Sequence, residues 1–76
     1  MEPMEEWHIR VFRPDSPTDI AQVTLPTWRT ARRYIDAAQR IYPDVTVRVI
    51  VPDSVSEAAL AELAAMGVQT FLKKGD

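Results

Sequence analysis

The sequence predicts an α+β fold, a two-layer α/β sandwich of order β-β-α-β-α-β in which a four-stranded mixed sheet carries two helices on one face. Three observations predict it: apolar residues alternate with period two in four stretches, they recur at three- and four-residue steps in two others, and proline, aspartate and glycine punctuate the joints. At 76 residues the chain has room for one core only, so 7–74 is read as a single α/β domain and 1–6 as a disordered acidic N-terminus.

Trp7 to Arg13 alternates, with Trp7, Ile9 and Val11 on one side and His8, Arg10 and Phe12 on the other, which is the pattern of a half-buried strand. The run Arg13-Pro14-Asp15-Ser16-Pro17-Thr18-Asp19 consists of turn formers and is expected as an exposed hairpin loop. Ile20 to Leu25 alternates again, with Ala21, Val23 and Leu25 opposite Ile20, Gln22 and Thr24, giving a second strand antiparallel to the first. Thr27 is placed to cap a helix whose apolar stripe runs through Trp28, Ala31, Ile35, Ala38 and Tyr42 and which Pro43-Asp44 ends. On its opposite face, Asp36 can pair with Arg40 one turn later.

Val45, Val47, Val49 and Val51 give the third strand a β-branched inner side, while Thr46, Arg48 and Ile50 point the other way. After Pro52-Asp53, the spacing of Ser54 and Glu57 predicts a capping box at the head of a second helix with apolar positions Val55, Ala59, Leu60, Leu63 and Met66. Gly67 is expected in the left-handed position past its end, with Val68 placed against Leu63. Val68 to Lys73 forms the last strand, in which Val68, Thr70 and Leu72 oppose Gln69, Phe71 and Lys73.

Helical crossovers join parallel strands, so strands two, three and four are expected to share a direction. The order 1-2-3-4 is the simplest arrangement, with the first strand inserted centrally as the alternative. Because every strand alternates, the helices should cover one face of the sheet and leave the other open.

Composition narrows the chemistry. Absence of cysteine removes disulfides, thiolate metal sites and cysteine nucleophiles, and a single histidine leaves no histidine pair for a metal. No cofactor or metal is expected. Nine basic and eleven acidic side chains give a net charge of −2, which argues against a duplex-DNA binder relying on bulk charge. Met1 to Glu6 does not resemble a secretory signal and no stretch reaches membrane-spanning length, so the expected location is cytoplasmic.

The open face carries the informative residues, Arg10, Phe12, Arg48, Ile50 and Phe71. Aromatic and aliphatic side chains beside arginine suit the centre of a protein interface. The expected function is therefore a small non-enzymatic regulatory or adaptor domain that engages another protein, or a second copy of itself, through this face or an edge strand. The same aromatic and basic face also suits single-stranded nucleic acid, the alternative reading. Arg29, Arg33 and Arg40 form a possible secondary basic patch, otherwise a solvated helix face. A nucleophilic triad could be drawn from Ser54, His8 and Asp53, but no glycine elbow accompanies it. Ser54 could in principle accept a phosphate, and Arg10, Arg13, Lys73 and Lys74 are the charges placed to blunt the sheet edges.

Overall fold

The computed structural model describes residues 5–16 and 18–72. Its elements are β1 (Trp7–Phe12), β2 (Asp19–Leu25), α1 (Trp28–Ile41), β3 (Thr46–Val51), α2 (Glu57–Ala65) and β4 (Gln69–Leu72). They form one four-stranded mixed sheet with the helices on one face and the other face open, as the alternation requires.

The strands lie in the order β2-β1-β3-β4. β1 is antiparallel to both β2 and β3, and β4 is parallel to β3, so β2, β3 and β4 do share a direction. The simple order 1-2-3-4 is not the one adopted: the chain passes from β2 through α1 to the far side of β1, which leaves β1 central. That position suits its inner stripe, since Trp7, Ile9 and Val11 are each only 1% exposed while the smaller inner side chains of β2 remain half-buried. The Trp7 ring packs at 5.2 Å against Trp28 at the start of α1.

The edges are consequently β2 and β4. Arg10 and Arg13, expected to guard an edge, belong to and follow a central strand; Arg13 instead pairs with Asp44 at 3.1 Å. Lys73 and Lys74 lie outside the described residues, as do residues 1–4 of the acidic N-terminal segment.

Thr27 caps α1 by accepting from the Thr30 amide at 3.2 Å, and Ala31, Ile35 and Ala38 bury the inner stripe. Tyr42 departs from that stripe. It is the C-cap residue, 36% exposed, with the Arg13 guanidinium 5.9 Å from its ring, because the helix ends at Ile41 before the next inward position is reached. Tyr34 packs against the core instead.

The start of α2 also differs from expectation. Pro52 to Val55 closes a turn through the Val55 amide and the Pro52 carbonyl, 3.1 Å, and this places Ser54 before the helix. Ser56 is the N-cap, accepting from the Ala59 amide at 3.1 Å, and Glu57 is the first helical residue, so the expected capping box does not form. At the other end, Gly67 adopts φ 75°, and the amides of Gly67 and Val68 donate to the carbonyls of Ala64 and Leu63 at 3.0 and 3.1 Å. This paired closure satisfies two terminal carbonyls and turns the chain into β4, with Val68 and Leu63 buried in the same core.

Candidate functional site

Alternation sends His8, Arg10 and Phe12 of β1 to the open side, beside Gln22 and Thr24 of β2, Arg48 and Ile50 of β3, and Gln69 and Phe71 of β4. The registers His8↔Ile50, Arg10↔Arg48 and Ile50↔Phe71 bring together all of Arg10, Phe12, Arg48, Ile50 and Phe71. Phe12 and Ile50 are half-buried by their neighbours in the sheet and Phe71 is 49% exposed, so no helix seals them.

Arg10 and Arg48 stand directly opposite each other, a like-charge pair that would be unfavourable without compensation. Compensation comes from an irregularity in β2. Val11 faces Ala21 but Phe12 faces Asp19, so Ile20 is an extra residue in the ladder. The bulge lets Ile20 pack against the core and carries Asp19 onto the open face. Two sequence expectations are corrected together here: Asp19 is a strand residue rather than part of the loop, and Ile20 faces inward.

Asp19 receives a fork from Arg10, Nε to Oδ2 at 3.1 Å and Nη2 to Oδ1 at 3.0 Å, and the Gln22 amide donates to Oδ2 at 2.6 Å. These hydrogen bonds, Arg10 first and Gln22 second, hold the Asp19 carboxyl below the usual aspartate range; desolvation opposes them, and the charges of Arg10 and Arg48 add to them. Arg10 is reciprocally held above its ordinary value by the bond to Asp19.

Arg48 lies between two aromatic rings. Its Cζ is 5.1 Å from the centroid of Phe12 and 5.3 Å from that of Phe71, distances at which each cation–π contact is worth about 0.5–1 kcal/mol at an exposed site. Its Nε donates to the Gln69 side-chain oxygen at 3.3 Å, and among the described residues no carboxylate forms an ion pair with it. Arg10 reaches the other side of the cluster, 5.8 Å from the Phe12 centroid. An open depression of about 420 Å³ adjoins it, lined by His8, Ile9, Arg10, Gln22, Val23, Thr24 and Ile50.

The remaining candidates separate. On α1, Arg40 pairs with Asp36 at 3.2 Å as the spacing implied, while Arg29 and Arg33 have no ion-pair partner among the described residues. Arg32, basic like them but outside that patch, pairs with Glu62 and ties the two helices together. His8 contacts Thr24 Oγ1 through Nδ1 at 3.0 Å and Glu6 through Nε2 at 3.3 Å, whereas Ser54 donates to Glu5 at 2.8 Å. No hydrogen bond joins His8 to Ser54 or Asp53 among the described residues, so these three do not assemble as a triad. Among the same residues no three His, Cys, Asp or Glu side chains gather as metal ligands, and no helix is long and apolar enough to cross a membrane.

The positions of Gln22 and Gln69 on the open side were legible from alternation alone. Asp19 was not, because its orientation depends on a bulge that no local residue pattern announces. Comparison of this chain with protein-family models, with curated proteins and with solved structures returns no match.

Proposed function

We propose that this chain is a small protein-recognition domain, regulatory or adaptor in kind, whose open sheet face engages a partner segment carrying a carboxylate beside apolar side chains. The observation that carries the reading is Arg48, held over the rings of Phe12 and Phe71 and, among the described residues, with the neutral Gln69 alone as its hydrogen-bond acceptor. Stacking limits the guanidinium's freedom before any partner arrives, so less side-chain entropy is lost on binding. A carboxylate can then take a charge-assisted pair from Arg48 while its neighbours cover Phe71 and Ile50.

The single-stranded nucleic-acid alternative draws less support from the same geometry. Guanidinium groups already sit against the rings a base would stack upon, and Arg10 is answered by Asp19, which leaves few cations for a run of phosphates among the described residues.

The test is affinity capture from an extract of the native host with three immobilised proteins: wild type, Arg48→Glu, and Arg33→Glu as a control on the far side of the molecule. A protein held by wild type and the control but lost with Arg48→Glu is the expected result. Identical retained sets for all three would overturn the reading, as would tight, steeply salt-dependent binding of a labelled single-stranded oligonucleotide.

A further inference from the structure

Among the described residues, Asp19 is the only acidic side chain in the four strands, and it reaches the open face by exception. In a regular ladder Phe12 would face Ile20, and the open side would gain one more apolar side chain beside its aromatic ring. The bulge sends Ile20 to the core and sets Asp19 in that place, where its carboxylate is 19% exposed and bound to Arg10. Glu6, which precedes β1, meets His8 at the other end of that strand.

Without this carboxylate the face would offer two directly opposed guanidinium groups beside Phe12 and Phe71, the combination of cations and rings that suits phosphates and stacked bases. Asp19 changes what the face can hold. Both of its oxygens are engaged by Arg10, and the charge of Arg48 also reaches it. A lone carboxylate can still pair with Arg48. A run of phosphates would bring several like charges toward Asp19 and find one unanswered arginine among the described strand residues.

We infer that Asp19 sets the specificity of the open face: it holds Arg10 out of use and repels polyanions, so that the face takes a lone carboxylate and refuses a nucleic-acid strand. Discrimination of this kind is built by an unfavourable contact with the wrong ligand as much as by a favourable one with the right ligand. It rests on the recognition role proposed above for Arg48 and adds what that site rejects. An ion pair that served the sheet alone would yield only losses when broken. A specificity determinant yields a gain.

Fluorescence anisotropy of a short labelled oligothymidylate, titrated at several salt concentrations, reads that gain, with circular dichroism verifying that each variant is folded. Asp19→Asn is expected to bind about tenfold or more tightly than wild type at low salt, with a logarithmic salt slope steeper by about 0.7 for each further phosphate engaged. Asp36→Asn removes the same charge from the exposed pair with Arg40 on α1 and should gain far less. Asp19→Asn/Arg10→Met should lose most of the gain, because the released guanidinium is gone. If Asp19→Asn does not fold, Asp19→Thr takes its place, since a β-branched side chain suits a strand. An Asp19 variant that binds no better than wild type overturns the inference. An equal gain in Asp36→Asn, or a full gain kept without Arg10, overturns it as well. None of these three outcomes touches the reading of Arg48, which stands or falls on capture of a protein by wild type and its loss in Arg48→Glu.

Discussion

Arg10 holds Asp19 in a two-point fork, 3.1 and 3.0 Å, across a strand pair whose ladder skips Ile20 to make the meeting possible. The fork offsets the direct opposition of Arg10 and Arg48. It frees Arg48 to stand between Phe12 and Phe71, so the cationic and aromatic character of the open face depends on one extra residue in β2.

The fork should be visible in titration. Asp19 has a folded-state pKa below its unfolded value near 3.9, so its contribution to stability is fully present above that pH and is lost as the pH falls through the lower, folded value. Carboxyl chemical shifts followed by NMR should place Asp19 below the ordinary aspartate range, and Arg10→Met should move it back upward. No change in Arg10→Met would contradict the assignment.

Truncations on the two sides of the sheet should separate cleanly. Leu63 is fully buried, and Leu63→Ala is expected to remove about 2–5 kcal/mol. That is a large share of the roughly 4–11 kcal/mol typical of a chain this long. Phe71→Ala removes a half-exposed ring and one cation–π contact, with an expected loss of at most about 1 kcal/mol. Urea denaturation measures both, and equal losses would mean that the open face is part of the core.

Helix α2 gives a paired test of its start. Ser56→Ala deletes the cap on the Ala59 amide and is expected to lower stability by about 1 kcal/mol. Ser54→Ala removes only an exposed bond to Glu5 and should have a smaller effect. The reverse ranking in thermal unfolding would restore the cap that the sequence spacing suggested.

Gly67 provides a test free of packing effects. An added Cβ meets nothing within 4 Å, yet φ is 75°, so Gly67→Ala should cost about 1 kcal/mol through backbone strain alone. Gly67→Asn should cost less, since asparagine tolerates this conformation better. Chemical denaturation that finds alanine neutral would contradict the helix ending described here.

Much of this molecule was legible in its sequence because its signals are local. Alternation in Val47, Val49 and Val51, and the helical spacing of Ala31, Ile35 and Ala38, fixed which side of each element is buried. The same alternation gathered Arg10, Phe12, Arg48, Ile50 and Phe71 on one face. Strand order was harder, since it depends on which side of β1 the chain crosses to after α1. A hint existed in the bulkier inner stripe of β1 and in the prolines flanking β2, both marks of centre and edge. Ser54 misled because its three-residue spacing from Glu57 imitates a capping box, while Pro52 draws it into a turn. The bulge at Ile20 left no local trace, and Asp19 was lost with it.

Amide chemical-shift mapping of the isotope-labelled domain, titrated with the protein recovered by affinity capture, is the most direct test of recognition by the open face. Perturbations concentrated at Arg10, Phe12, Arg48, Ile50 and Phe71 are expected. Perturbations confined to the outer faces of α1 and α2, with those five residues silent, would contradict it.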